Sequence, residues 1–327
     1  MSSLTSARPS LLRHLNERAV FEYVLKCGNV SRSVLTRGAR MTAPTVQKAV
    51  ANLLKAGYLE MVTSESAARV GRPSPVYRVA RDTVQVIGVT IDVRRCAVTA
   101  AGLDGVIRPE RTVEFITPAT YAELIETISR HCSSLINNSV QTLGIGVSAP
   151  GEIEMSTQRV LLSPNLRILD NSSPASDLSK RLSVQTILFH ETTGTCLAEQ
   201  GYGAARGMRD FVMIGVYEGF GASIVSGGRL LAGRSGLGGE MGHITVDLNG
   251  EQCGCGNRGC LETVATDQAF AKLVSASLGK KLSIEKIIEQ AAAGTIDVAE
   301  ELDKTLSYLA VGIAAACLLY TSPSPRD

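Results

Sequence analysis

The chain has 327 residues, 44% of them hydrophobic and only 4% aromatic, with no tryptophan and a formal net charge of +2. That is enough chain to bury substantial cores in two or three domains, and too few aromatics for a nucleic-acid platform built on stacked bases. The charge is unevenly spread: up to Arg81 thirteen Lys/Arg face four Asp/Glu, a net +9, while the remainder is −7. Such asymmetry is the pattern of a basic head that meets polyanions, carried on an acidic body.

The first residues contain no uninterrupted apolar run of the signal-peptide kind. The longest apolar stretch, residues 306–320, falls short of the ~20 residues a bilayer span needs. A cytoplasmic protein with no membrane partner is expected. Cys27, Cys96, Cys132, Cys196 and Cys317 are scattered in apolar contexts, which predicts reduced core thiols.

Residues 12–27 predict a helix, with Leu12, Leu15, Val20, Val24 and Leu25 at helical spacings before Gly28-Asn29. Ser31 is the expected N-cap of a short second helix carrying Val34, Leu35 and Ala39. Thr42 caps a third, with Pro44 in its first turn and Val46, Val50, Leu53 and Leu54 as its buried stripe. Gly57 ends that helix, and residues 58–63 and 76–79 predict the two strands of a wing. Helix, helix–turn–helix and hairpin, in that order, make a winged helix-turn-helix DNA-binding domain over residues 1–81.

Its third helix is expected to enter the major groove N-terminus first. Thr42, Thr45, Gln47, Lys48 and Asn52 lie off the stripe and suit base edges or phosphates; the bland alternative is a solvated helix face. The wing tip, Arg69-Val70-Gly71-Arg72-Pro73, is slim and cationic and resembles an AT-hook. Arg69 and Arg72 are therefore expected in a narrow minor groove, where the potential over A·T pairs is deepest.

After Arg81 the character changes. Residues 84–91, 96–103 and 113–116 read as strands, the first ending in Asp92 and the second followed by the turn Asp104-Gly105. An amphipathic helix follows over 121–136, then a strand over 142–148 running into Pro150-Gly151. Three antiparallel strands, a helix and a further strand match the start of the actin-like, ribonuclease-H-like fold, in which two α/β halves face each other across a cleft. The first lobe is assigned to residues 82–200 and the second to 201–327, its first strand near Phe211-Val212-Met213-Ile214.

Between Gly238 and Glu262 the chain reads Gly-Gly-Glu-Met-Gly-His, ten mixed residues, then Cys-Gly-Cys-Gly-Asn-Arg-Gly-Cys-Leu-Glu. Cys253, Cys255, Cys260 and His243 predict a structural Zn2+ site, because zinc takes four such ligands in a tetrahedron and the intervening glycines suit a tight ligand loop. Metal-free buried thiols or a disulfide are the alternatives. Glu240 and Glu262 flank the knot, which would hold both carboxylates toward one polar ligand.

Gly-Gly-Glu-Met-Gly-His followed by Cys-x-Cys-Gly-x-x-Gly-Cys-x-Glu resembles the signature of the ROK family of sugar kinases and sugar-responsive repressors. That resemblance implies sugar contacts at Asn165, Glu240, His243 and Glu262. It also aligns Phe189-His190-Glu191 with the family's Asn-Asp pair, making His190 and Glu191 cleft lining rather than catalytic groups. The Gly-Arg-Pro at the wing is another family trait.

The kinase signatures are lost in two places. A phosphate loop Asp-x-Gly-Gly-Thr, whose glycines let backbone N–H groups close on phosphate, is replaced by Asp92-Val93-Arg94-Arg95-Cys96. The second phosphate turn, Gly-Thr-Gly, is replaced by Tyr217-Glu218-Gly219. The expectation is a regulator without enzymatic activity: a repressor that binds a double-stranded operator as a homodimer or higher homo-oligomer and responds to a sugar or sugar derivative. A sugar kinase, or a regulator controlled by a protein partner, are the alternatives.

Past Glu262, helices are expected over 263–278, 283–293 and 302–319. The polar Pro/Ser tail 321–327 reads as a truncation joined to foreign sequence, with a natural short form as the alternative; a truncation would leave the second lobe incomplete with an open sheet edge.

Overall fold

The computed structural model describes residues 9–62, 75–136, 139–216, 219–233 and 238–320. The head comprises α1 (Pro9–Cys27), β1 (Val30–Ser31), α2 (Arg32–Gly38), α3 (Ala43–Lys55), β2 (Leu59–Val62) and β3 (Val76–Val79). Val46, Ala49, Val50 and Leu53 are the buried side of α3, three or four residues apart as one helical face requires. They pack with Val20 and Val24 of α1, Leu35 of α2 and Tyr77 of β3. The strands form an antiparallel sheet in the order β1-β3-β2.

Two details differ from the expectation. Leu12 and Leu15 are about half exposed, so α1 supplies the core only from Val20 onward. Thr42 stands at the N-cap of α3, but its hydroxyl meets Thr45 Oγ1 at 2.8 Å instead of a backbone N–H.

The first lobe carries β4 (Val84–Thr90), β5 (Arg95–Ala101), β6 (Ile107–Ile116), α4 (Tyr121–Leu135), β7 (Gln141–Ala149), β8 (Glu152–Glu154), β9 (Arg159–Leu162), α5 (Pro174–Leu182) and β10 (Thr186–His190). Its sheet runs β10-β7-β4-β5-β6, with β10, β7 and β4 parallel and β5 and β6 antiparallel. Central β4 buries Val84, Ile87 and Val89, and α4 and α5 close the core with Leu124, Ile128 and Leu178. Strand β6 begins six residues earlier than expected. It is an edge strand, and Arg108, Glu110 and Arg111 break the apolar alternation as edge residues do.

Helix α6 (Glu191–Tyr202) follows β10, and the second lobe carries β11 (Phe211–Val216), β12 (Phe220–Ser226), β13 (Arg229–Leu230), α7 (Asp267–Ser277), α8 (Ile284–Ala292) and α9 (Ala299–Tyr320). Strands β11, β12 and β13 pair antiparallel, and α9 packs over them through Ala316, Leu309 and Tyr308. Helix α6 contacts β11 and β12 of this sheet and β10 and β7 of the other, so it is shared between the lobes. The helix expected from residue 263 starts only at Asp267. Ahead of it a single 3-10 turn, Leu261–Thr263, presents Glu262.

Cys96, Cys132 and Cys196 are buried as expected, but Cys27 and Cys317 are exposed. Each sits near the solvent end of its helix, where an apolar neighbourhood in sequence does not become a core in space. No helix among the described residues is long and apolar enough to cross a membrane. The tail 321–327, together with Arg69, Arg72, Tyr217 and Glu218, lies outside the described residues.

Candidate functional site: a Cys/His knot at an interlobe cleft

The knot is built on irregular backbone. His243 ends the 3-10 turn Met241–His243, and isolated bridges Thr245–Cys260 and Gln252–Arg258 fold the Cys-rich loop back on itself. Gly256 has φ +95° and Gly259 φ +66°, left-handed conformations that favour glycine. A side chain at Gly259 would also run into Asp247 O.

The four donor atoms of His243, Cys253, Cys255 and Cys260 lie within 4.8 Å of one another. Cys255 and Cys260 Sγ are 3.8 Å apart and Cys253 Sγ is 3.7 Å from His243 Nδ1. A zinc tetrahedron with ordinary bond lengths has edges of about 3.8 Å between sulfurs and about 3.6 Å between sulfur and nitrogen. The set therefore fits zinc with little movement. Burial pushes the Cys253 thiol up to about 12 and raises that of Cys260, so binding of a divalent ion there would have to displace those two protons.

Each end of the knot touches an acid. His243 Nε2 is 3.9 Å from Glu240 Oε2, and Cys253 Sγ is 3.7 Å from Glu262 Oε1. Glu262 also accepts the Phe220 N–H through Oε2 at 3.3 Å. Gly219 lies against Glu262 Oε2 and Asn165 Nδ2, within 2.8 and 3.6 Å of where a Cβ would stand. Asn165, Glu262, Arg94 and Thr266 line an open interlobe cleft of about 810 Å³. His190 and Glu240 line a separate space of about 30 Å³ with Ile153, Met155 and Thr193. Of the predicted sugar residues, Asn165 and Glu262 thus line the larger space and His190 and Glu240 the smaller, while Glu191 and His243 line neither; the charges of Glu262 and Glu191 act on Glu240, so these groups are neighbours.

The titration of this region follows from burial. The Glu240 carboxyl is raised to about 7, first by desolvation and then by the charges of Glu152, Glu262 and Glu191. His190 is held down at about 4 by desolvation and by His243. It is therefore neutral at physiological pH, and its Nδ1 faces the Thr192 hydroxyl at 2.8 Å and accepts the Thr192 N–H at 3.3 Å, capping α6. Thr193 and Ser223 extend this hydroxyl cluster, their oxygens 3.5 Å apart. Sequence reading missed Glu152, Thr192, Thr193 and Ser223. The only signal for Glu152 is its place just after Pro150-Gly151, at the end of β7.

Asp92 Oδ1 accepts the next residue's N–H at 2.5 Å, and Arg94 pairs with Glu285 of α8 at 2.7 Å. A cation on the first lobe is thereby joined to an acid on the second.

In the head, Thr42, Gln47 and Lys48 are exposed at the N-terminal end of α3, and Thr45 is half-buried beside Thr42. Asn52 departs from the expected DNA face: its amide donates to Glu17 of α1 at 2.6 Å. It lies three turns of chain past the N-terminus, on the side where α3 leans on α1.

Comparison with known proteins agrees with this architecture. Over 271 residues the chain is 28% identical to the DNA-binding transcriptional dual regulator NagC of Escherichia coli, covering 81% of this chain and 65% of that protein. It is 26% identical to the xylose repressor of Bacillus subtilis, covering 94% of this chain and 80% of that one. A crystal structure of a ROK family transcriptional regulator, a homologue of the E. coli MLC protein, superposes with a TM-score of 0.79 at 25% identity, covering 94% of this chain and 81% of the other. A ROK family glucokinase from Streptomyces griseus, in complex with glucose and AMPPNP, shares the fold at 23% identity and a TM-score of 0.64, over 72% of this chain and 80% of that one. Residues 86–323 match the ROK family, most of the chain, and the protein belongs to that family.

Proposed function

We propose that this protein is a sugar-responsive, DNA-binding transcriptional regulator, acting as a repressor in the cytoplasm as a homodimer. One observation carries the reading: a winged helix-turn-helix head with polar residues at the leading end of α3 is joined, in one chain, to a ROK body with acids and an amide around a cleft. Thr42, Thr45, Gln47 and Lys48 would meet the major groove, and Arg69 and Arg72 the minor groove. A dimer reads two half-sites and so reaches an affinity that one small module lacks.

In the body, Asn165, Glu240, Glu262 and His243 would bind the hydroxyls of a sugar. A polar group left unpaired in such a cleft costs about 1–3 kcal/mol, enough to separate epimers. Zinc on His243, Cys253, Cys255 and Cys260 would hold the loop in shape, and His243 would present its other nitrogen to the cleft. A non-enzymatic role is supported by Arg94 and Arg95, which stand where a kinase of this family would need glycines, and by the pairing of Arg94 with Glu285. The domain division proposed is head 1–81, first lobe 82–200 and second lobe 201–327.

The test is selection of duplexes from a random pool by the zinc-loaded full chain, followed by titration of the bound duplex with D-xylose, N-acetyl-D-glucosamine and D-glucose. A palindromic, A·T-rich site released by one sugar is expected. ATP-dependent phosphorylation of any of these sugars at robust turnover would replace this reading with that of a kinase.

A further inference from the structure

The proposed function leaves open how a ligand in the cleft is sensed by a head that does not touch it. Helix α6 spans that gap. Its first residues stand at the smaller space, beside Glu240: His190 caps the helix, Thr193 lines that space, and Thr192 Oγ1 receives the Ser223 hydroxyl of β12 at 3.4 Å. Twelve residues later, a rise of about 18 Å, its other end reaches the head. There the Tyr202 hydroxyl donates to Leu103 O at 3.2 Å, and Leu103 packs into the hydrophobic core of the head.

Arg206 makes the second link. Its guanidinium donates to the carbonyls of Leu25 and Lys26 in the last turn of α1. Those carbonyls have no partner within their own helix, and a cation there also opposes the negative end of the helix dipole. Arg206 is tied to α6 by a compact set of bonds. Gly203 N–H donates to Glu199 O at 3.0 Å, Ala204 N–H to the Glu199 carboxylate at 2.7 Å, and Arg206 N–H to Gly203 O at 3.2 Å. A shift of α6 is therefore passed on without slack.

Between head and first lobe runs an open groove of about 380 Å³, with Phe21, Leu53, Tyr58, Leu103 and Leu143 along it and His14, Glu17 and Arg18 at its polar side. A junction held by a few directed polar bonds beside a groove can tilt, whereas a close-packed one resists.

We propose that α6 is the element that carries cleft occupancy to the DNA-binding head, through Tyr202 on the Leu103 turn and Arg206 on the end of α1. The helix touches the sheets of both lobes, so closing the cleft on a ligand moves it against one sheet or the other. Its far end then re-aims α1, and with it α3, relative to the body. This rests on the sugar-responsive reading above, and Tyr202 and Arg206 touch neither DNA nor sugar in it.

The experiment uses the full zinc-loaded chain, the duplex it selects, and D-xylose, N-acetyl-D-glucosamine and D-glucose as probes. Wild type is expected to lose at least tenfold in duplex affinity when its sugar is added. Arg206→Gln and Tyr202→Phe, and above all the double variant, are expected to bind duplex and sugar separately as wild type does, by fluorescence anisotropy and calorimetry. Their sugar-induced loss should shrink below threefold. Both side chains are exposed, and an unchanged melting curve checks the fold. Hydrogen exchange gives an independent readout: sugar should alter protection at residues 24–28 in wild type and leave the double variant unchanged. Variants that keep the full sugar response, or exchange at 24–28 that never responds, would overturn the α6 route while sparing the functional reading. If no probe sugar alters duplex binding by wild type, the functional reading falls, and this one with it.

Discussion

At the scale of single residues, His190 and Glu240 form a pair that titrates in opposite senses. The pKa of His190 is lowered from 6.5 to about 4. Its contribution to stability is therefore complete above pH 6.5 and is lost as the pH falls toward 4. Glu240 is raised from 4.5 to about 7, so its contribution is complete below pH 4.5 and is lost as the pH rises through 7. Each shift corresponds to about 3 kcal/mol at most. Measured against wild type by urea unfolding at each pH, His190→Asn should gain stability on the acid side between pH 6.5 and 4, since Asn keeps the cap on Thr192 without charging. Glu240→Gln should gain on the other side, between pH 4.5 and 7. Equal pH profiles for wild type and both variants would contradict the burial argument.

The metal knot gives a second prediction at this scale. One zinc per chain is expected by elemental analysis, and Cys255→Ala should lower that to a small fraction; full retention of metal would rule out Cys255 as a ligand. The knot was legible from residue types and spacing alone, because three thiols and an imidazole separated by glycines have few other uses. Glu152 was not legible: a lone acid in a short strand has no signature, and only the approach of β8 to the cleft brings its charge to bear on Glu240.

At the scale of elements, α9 shows how close approach limits substitution. Gly312 lies under Leu261, and a Cβ there would run into Leu261 Cδ2 and stand 3.3 Å from Phe220 Cζ. Both belong to the core under the Glu262 turn, and Leu261 is fully buried. Alanine would gain up to about 1 kcal/mol in helix propensity, yet overpacking costs about 1–3 kcal/mol. Gly312→Ala should therefore be neutral to destabilising by up to about 2 kcal/mol in urea unfolding; a clear gain would show that the Leu261 side chain yields freely.

Elements with a strong period were the legible ones. The stripe Val46, Val50, Leu53 of α3 identifies both the helix and its buried face. Strand β1 has two residues, too few for any period, and β6 carries charges along a sheet edge. Helix α6 begins Glu-Thr-Thr-Gly-Thr, and after Glu191 these are residues of modest or poor helix propensity. Its helical state comes from the cap at His190 and from packing between two sheets, neither of which is visible in a local window.

At the scale of the whole molecule, the uneven charge bears on DNA binding. The head holds a net +9 up to Arg81 against −7 for the rest, so association with duplex should weaken steeply with salt. Lys48 is exposed at the leading end of α3. If it meets phosphate, Lys48→Ala should weaken binding alike on all sequences and reduce the slope of log affinity against log salt by about one. A loss confined to one sequence would make it a base contact instead.

The amino-acid sequence by itself determined the winged head and the Cys3His cluster, because each depends on local period, turn chemistry or the spacing of rare residue types, and through its resemblance to a known signature it also determined the family and the two-lobed body. Only the tertiary structure decided that Asn165 and Glu262 line one space and His190 and Glu240 another, that Asn52 turns to Glu17 of α1, and that α6 runs from beside Glu240 to the head. Those facts depend on which surfaces meet when distant segments pack, and a contact between residues far apart along the chain leaves no pattern within either segment.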